Sequence, residues 1–186
     1  FNSHLRKSNI RVVSTKQVKS DFNARFSATK RYYKYRILCR AAPPGIEKGK
    51  VWHSRKNLNI RLMEEGTKYL IGKHDFTSFR TINCQAKSPI RTLDEISIKS
   101  LGYEIMVNVA AKSFLHSQVR IIVGTIYKVG EETLKPTDIK NILESKDRSL
   151  AGPTAPAEGL YLEKIEYPKD LLDDNWPIIY NSNQYN

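Results

Sequence analysis

The sequence predicts an α+β domain with a mixed, mainly antiparallel sheet flanked by helices. Residues 103–109 alternate apolar and polar side chains soon after a strand-like stretch at 88–99, and Leu101-Gly102 between them suits a tight hairpin turn. Residues 114–129 instead space apolar side chains four and three apart, which is one buried helical stripe. Strand and helix patterns are interspersed along the chain, so an α+β fold fits better than a parallel α/β fold.

The N-terminal third contains two predicted strands. Residues 10–13 form a short one, and residues 31–38 form a longer one that alternates between two faces. One face is aromatic and apolar, the other largely basic: Tyr33, Tyr35 and Ile37 against Tyr32, Lys34 and Arg36. The Ala-Ala-Pro-Pro-Gly run at 41–45 breaks this strand, and residues 46–59 are predicted to be a basic loop.

The remaining elements follow from periodicity and turn residues. A helix over 58–70 ends near Gly72, which suits a left-handed cap. In the hairpin strand the alternation predicts four inward side chains: Tyr103, Ile105, Val107 and Val109. A helix over 137–143 and a strand over 159–167 complete residues 1–168 as one domain, and residues 169–186 are a polar tail.

Composition favours a globular protein without a membrane span. Apolar residues make up 40% and charged residues 27% of the 186 positions. No stretch approaches the roughly 20 apolar residues of a transmembrane helix. Cys39 and Cys84 lack the spacing of a zinc or disulfide framework, so a reducing, cytoplasmic location is the expectation. The start at Phe1, without an initiator methionine, suggests a truncated N-terminus.

The positive charge is concentrated in residues 1–61. The net charge is +12, yet this third alone holds 16 Lys/Arg against Asp21 and Glu47. Basic surfaces attract phosphate backbones through counterion release, so nucleic acid is the favoured partner. A solvated basic surface with no partner is the alternative.

Two side chains are the leading candidates for chemistry. Tyr33, among basic neighbours, can stack on a base, although its alternation with Tyr35 favours a core position. Arg120 shares a helix face with His116 and Gly124, where the missing side chain leaves room for a large polar group. A guanidinium this close to a buried stripe needs a carboxylate partner, whether in a site or in an ordinary salt bridge.

Five strings occur in a fixed order along nearly the whole chain. They are Asn2–Leu5, Asp21–Thr29 with Arg31 and Tyr33-Lys34-Tyr35, Gly72–Phe79, Phe114–Gly124 and Ala155–Leu162. Together they resemble the C-terminal portion of the bacterial tRNA pseudouridine synthase A family. This resemblance implies a pseudouridine synthase-like catalytic domain that isomerises uridine to pseudouridine in the tRNA anticodon stem-loop. It also implies a homodimer that uses neither a metal nor another cofactor.

The resemblance also implies roles for individual residues. An aspartate attacks the uridine, Arg120 pairs with that aspartate, and Tyr33 packs on the target base. The further positions implied to bind substrate are Arg25, Arg31, Lys34 and His116.

The family's nucleophile lies in an Arg-Thr-Asp-Ala-Gly-Val-His string that this sequence does not contain. Arg91-Thr92-Leu93-Asp94 carries an extra leucine and lacks the rest. We therefore expect the N-terminal domain with the nucleophile to be missing and this chain to be inactive alone. The alternatives are a non-catalytic RNA-binding fragment, a decayed synthase, or a general basic module that binds DNA or the ribosome.

Overall fold

The computed structural model describes residues 2–168 and Leu171. The chain divides into two compact units, Lys30–Ile165 and the pair of segments Phe1–Thr29 and Glu166–Asn186. The predicted polar tail therefore lies outside the described residues, apart from Leu171. Among the described helices, none combines the length and apolarity that a membrane crossing requires.

The larger unit is built on a six-stranded sheet. Its strands are β1 Lys30–Cys39, β2 Trp52–Ser54, β3 Gly72–Asp75, β4 Ile90–Leu101, β5 Glu104–Ala111 and β6 Leu160–Glu166. Their order is β2-β1-β5-β4-β3, and β6 also pairs with β1. The β1–β2 pair is parallel, whereas the β1–β5, β5–β4 and β4–β3 pairs are antiparallel. The predicted mixed, mainly antiparallel α+β sheet is confirmed.

Three α-helices accompany the sheet: α1 Ile60–Thr67, α2 Gln118–Gly130 and α3 Asp138–Ser145. The inward side chains of β1 and β5 share one hydrophobic core with the apolar stripe of α2. Every member of the predicted stripe is buried, namely Leu115, Val119, Ile122, Ile126 and Val129. Burial of this stripe holds α2 in place, since apolar area removed from water contributes about 25 cal/mol per Å².

The β4–β5 hairpin forms where the sequence predicts it. Gly102 has a φ of 58°, a left-handed conformation that glycine adopts without the clash of a Cβ. Ile105, Val107 and Val109 are buried as predicted. Tyr103 is not, because it lies in the turn rather than in β5 and its side chain is 67% exposed.

Two predictions in the N-terminal third are wrong. Residues 10–13 form no strand, and Ile10 and Val13 are exposed, so no apolar face fixes them against a sheet. The stretch predicted as a basic loop contains β2, which pairs with the end of β1. The Trp52 ring explains this strand, because it packs at 4.2 Å, centroid to centroid, from Tyr127 of α2.

Helix boundaries differ from those predicted because of local backbone geometry. Asn59 caps α1 by accepting a hydrogen bond from the Leu62 amide at 3.3 Å. The predicted stretch continues beyond α1 as a 3-10 turn at Lys68–Leu70, and Gly72, at a φ of 103°, opens β3. Ser117 has a φ of 60°, so α2 begins at Gln118 instead of residue 114.

The sheet face that carries Lys34 and Arg36 is stabilised by ion pairs. The Arg36 guanidinium donates to both Glu104 carboxylate oxygens, at 2.6 and 2.9 Å. This bidentate pair lowers the pKa of Glu104 below its ordinary value, against the opposing effect of burial. A carboxyl group with a lower pKa in the folded chain stabilises the fold above its unfolded-state pKa.

We expect Glu104→Gln to lower the free energy of unfolding by about 1 kcal/mol at neutral pH. This difference should shrink as the pH falls below the ordinary carboxyl value of 4.5 and through the lower folded-state pKa, because protonation then removes the same charge from the wild type. Urea unfolding across this pH range measures it. Glu65→Gln, which removes the exposed i+4 partner of Arg61, is the control and should cost much less. Equal, pH-independent losses in both variants would contradict the assignment.

Candidate active site

The candidate site begins with the tyrosines of β1 that point toward α2. Tyr35 is fully buried and Tyr33 is half-buried, so exposure of this face increases toward the start of the strand. The Tyr33 ring meets Phe114 edge-to-face, with 5.2 Å between centroids and 88° between planes. Tyr33 thus packs at the border of the core, which combines the two alternatives that its sequence position allows.

Arg120 lies in the first turn of α2 and is half-buried. Its Nε donates to the carbonyl oxygen of Ala155 at 2.6 Å, and its own carbonyl accepts from the Ala155 amide at 3.1 Å. Within residues 2–168, no carboxylate forms an ion pair with this guanidinium. Its two terminal nitrogens make no hydrogen bond to the described residues, so they are available to an acceptor.

Tyr35 connects β1 to the same stretch of backbone. Its hydroxyl donates to the carbonyl oxygen of Pro156 at 2.6 Å, one residue after the carbonyl that Arg120 holds. Burial raises the pKa of Tyr35 well above its ordinary value, while the nearby positive charge of Arg120 acts in the opposite direction. Tyr35 therefore stays protonated as a donor. The alternation predicts its inward position but not this partner.

Residues 151–156, which we call the strap, cross α2 without regular secondary structure. An added Cβ on Gly124 would stand 1.8 Å from the Pro153 carbonyl oxygen, and one on Gly152 would stand 2.5 Å from the Gly124 carbonyl oxygen. The Gly152 amide also donates to Thr125 Oγ1 at 2.9 Å. The room predicted beside Gly124 for an incoming polar group is thus filled by the strap, and that interpretation is wrong.

His116 lies outside the helix on which the sequence places it. The left-handed backbone of Ser117 separates it from α2, so it does not share a helical face with Arg120. Its Nδ1 is hydrogen-bonded to Thr81 Oγ1 at 2.6 Å, and its carbonyl accepts from the Thr81 amide at 3.4 Å. The exposed imidazole is thus tied to the loop after β3.

The turn between Phe114 and Arg120 depends on a residue that sequence reasoning missed. Gln118 is 1% exposed, and its Oε1 accepts a hydrogen bond from the Leu115 amide at 2.8 Å. This contact fixes the backbone that carries Phe114 against Tyr33 and leads into Arg120. A glutamine between apolar stripe positions was the available signal, because a buried side-chain oxygen needs a hydrogen-bond donor, although the buried Nε2 of Gln118 has no partner among the described residues.

The other predicted substrate-binding residues of the larger unit are on β1. Arg31 donates through its guanidinium to the carbonyl oxygen of Lys112. Lys34 projects from the face of β1 opposite to Tyr33 and forms an ion pair with Glu163 of β6. The structure therefore does not bring Lys34 together with Tyr33 and Arg120 on one sheet face.

Arg25 belongs to the smaller unit. Its guanidinium lies 5.5 Å from the centroid of the Phe26 ring, in a turn where Asn23 Oδ1 accepts from the Arg25 and Phe26 amides. Within the same unit, Tyr167 donates its hydroxyl to the Ala24 carbonyl at 2.9 Å. Both Arg25 and Phe26 are exposed.

Comparisons with known proteins identify the family to which this chain belongs. The sequence model described as tRNA pseudouridine synthase matches residues 67–168, a range that includes Arg120 and the strap. The chain is similar to the tRNA pseudouridine synthase A of Dinoroseobacter shibae, at 47% identity over 91% of this chain and 68% of that protein. It is 49% identical to the Wolbachia pipientis protein of the same name, over 90% of this chain and 68% of that protein.

The chain therefore belongs to the tRNA pseudouridine synthase family, a family of RNA-modifying isomerases. The recognition of this family from five sequence strings is confirmed. The roles of the individual site residues stay predictions.

We expect Gly124→Ala to destabilise the chain by about 2–4 kcal/mol, because the new methyl group meets backbone that cannot rotate away. Thermal and urea unfolding measure the loss. Gly45→Ala is the matched control, since a Cβ there has nothing within 4 Å. Unfolding free energies within about 0.5 kcal/mol of each other in the two variants would show that the strap does not lie against α2.

Proposed function

We propose that this chain is the portion of a tRNA pseudouridine synthase that binds the target uridine of the anticodon stem-loop. It also binds the nucleophilic carboxylate, which another part of the polypeptide supplies. The reaction breaks the N1–C1′ glycosidic bond, forms a C5–C1′ bond, releases the C5 proton and protonates N1. The guanidinium of Arg120 carries this proposal, since it is half-buried and tethered by Nε alone.

The proposed role of Arg120 is to bind a carboxylate. A guanidinium that has lost part of its hydration gains most from an ionised carboxylate in bidentate contact. The same contact lowers the pKa of the carboxyl group, which keeps it in the nucleophilic form. Because the Ala155 carbonyl holds Nε, the terminal nitrogens are presented in a fixed direction.

The nucleophile, in this proposal, is supplied by polypeptide outside these 186 residues. The family's Arg-Thr-Asp-Ala-Gly-Val-His string is absent from the sequence. Aspartates of the larger unit have other partners: Asp75 accepts from Thr77, Asp94 pairs with Lys30, Asp138 accepts from the Lys135 amide and Asp147 accepts from Ser149.

Tyr33 is proposed to pack on the target base and to take part in moving its proton. Phe114 fixes the plane of the Tyr33 ring by its edge-to-face contact, while the half-buried ring retains some accessible surface. Stacking on an aromatic ring contributes about 1–3 kcal/mol per base. A ring held in advance loses little conformational entropy when the base arrives.

The basic residues of the first third are proposed to hold the tRNA backbone. Arg25 and Arg31 are the candidates in this segment. The other two candidates are Lys34, on the opposite face of β1 from Tyr33, and His116, just before α2. Counterion release makes such contacts strong at low salt and weaker as salt rises. A homodimer in the cytoplasm completes the proposal by analogy with the family.

We expect this chain alone to release no tritium from tRNA that carries uridine labelled at C5, because the attacking carboxylate is absent. A polypeptide that also includes the coding sequence upstream of Phe1, where an in-frame Arg-Thr-Asp-Ala-Gly string is expected, should release it. Turnover by the 186 residues alone would refute the assignment of the nucleophile. Tight tRNA binding without turnover by the longer polypeptide would favour a decayed synthase.

In that longer polypeptide, Arg120→Met should reduce tritium release by about a hundredfold or more, since it leaves the nucleophilic carboxylate unpaired. Affinity for tRNA should change by less than about twofold, because in this proposal Arg120 binds the carboxylate while other basic residues contact the phosphates. Lys128→Met is the control on the same helix, as Lys128 pairs with Glu131 at 3.0 Å. Undiminished turnover in Arg120→Met would rule out this role.

Binding specificity separates this proposal from a general basic module. The chain should bind tRNA more tightly than duplex DNA of equal length at the same salt concentration, because stacking on Tyr33 requires an unpaired base. Filter binding or fluorescence anisotropy measures both affinities. Tyr33→Leu should reduce the preference for tRNA, and equal affinities in the wild type would favour the general module.

A further inference from the structure

Arg148 is a half-buried guanidinium that the proposed reaction does not use. It opens the 3-10 turn Arg148–Leu150 after α3, where Asp147 caps the Ser149 amide at 2.8 Å. Burial lowers the pKa of Arg148 from its ordinary value, which is the direction expected of a desolvated cation. Within residues 2–168, no carboxylate pairs with Arg148.

The hydrogen bonds of Arg148 go to the strap. One terminal nitrogen donates to the carbonyl oxygens of Ala151 and Gly152, at 3.4 and 3.0 Å. The other donates to Thr154 Oγ1 at 3.2 Å. A planar guanidinium can reach acceptors on several residues at once, so it fixes the path of a segment that lacks secondary structure.

The strap in turn sets the position of Arg120. Ala155 accepts from Arg120 Nε and donates its amide to the Arg120 carbonyl, directly after the stretch that Arg148 holds. Gly152 anchors the start of the strap on Thr125, five residues beyond Arg120 in α2. Arg148 and Arg120 therefore act on one short segment from opposite ends.

We propose that Arg148 is a positioning residue, which orders the strap so that its Ala155 carbonyl aims the Arg120 guanidinium. This inference rests on the proposed role of Arg120 in holding the nucleophile. In the longer polypeptide, Arg148→Met should then lower kcat with little change in KM for tRNA, since it alters the orientation of the Arg120 guanidinium rather than a phosphate contact.

The decisive measurement follows the Arg120 Nε–H by NMR in the 186-residue chain and does not require turnover. Its resonance is assigned by its loss in Arg120→Lys. In the wild type this proton should exchange slowly with water, because it is donated to Ala155. Arg148→Met should accelerate the exchange by about tenfold or more. Arg148→Lys should accelerate it by less, because an ammonium can still donate to a carbonyl although it cannot reproduce the planar fork of the guanidinium.

Two further variants exclude a general loss of stability. Lys146→Met, beside the same turn, removes an exposed cation that pairs with Asp75 and should leave the exchange rate unchanged. Thr154→Val removes a single acceptor of Arg148 and should accelerate exchange by about threefold. This milder variant provides the test if Arg148→Met fails to fold. All rates are compared well below each unfolding midpoint.

The outcomes separate this inference from the proposed function. An exchange rate within about twofold of wild type in the folded Arg148 variants and in Thr154→Val overturns the positioning role and leaves the proposed reaction intact. Accelerated exchange in those variants supports the positioning role, whatever the turnover assay shows. Acceleration of equal size in Lys146→Met would also overturn it, since the effect would then not pass through the strap.

Discussion

The reciprocal pair of hydrogen bonds between Arg120 and Ala155 is the interaction on which the candidate site depends. It joins the first turn of α2 to the strap through both the side chain and the backbone of one residue. Tyr35 extends the same junction to β1 by holding the next carbonyl. Sheet, helix and strap therefore meet at two consecutive residues, Ala155 and Pro156, and the guanidinium is oriented by the strap through its Nε. The position of this positive charge thus depends on a backbone carbonyl.

Periodicity predicted the parts of the fold that apolar burial decides. The β1 alternation, the β4–β5 hairpin and the α2 stripe appear as expected because each side chain faces either core or solvent. Elements decided by other forces were missed. β2 is only Trp52–Ser54, and its Trp52 ring packs against Tyr127, a contact between distant residues that no local pattern encodes. The start of α2 depends on the positive φ of Ser117, where no glycine announces it.

For the candidate site, family resemblance and local physics contributed different parts. A lone arginine beside an apolar stripe indicated a carboxylate partner, in a site or in an ordinary salt bridge, and no carboxylate pairs with Arg120 within residues 2–168. The distribution of charge along the sequence was less informative. Lys34 and Arg36 belong to the basic third, but folding brings Glu163 and Glu104 from the remainder of the chain beside them. Charge counted by segment therefore overstates the free positive charge of this strand.

Gly124 and Gly152 place a constraint on how this protein can vary. Each lacks a Cβ at the point where the backbone of the other segment passes, and the obstructing atoms belong to that backbone. A clash with a side chain can be relieved by shortening that side chain elsewhere, but a clash with a peptide group has no such remedy. No second substitution can therefore compensate for the loss of either glycine. Replacing either one would require α2 and the strap to move apart, which would separate Arg120 from Ala155.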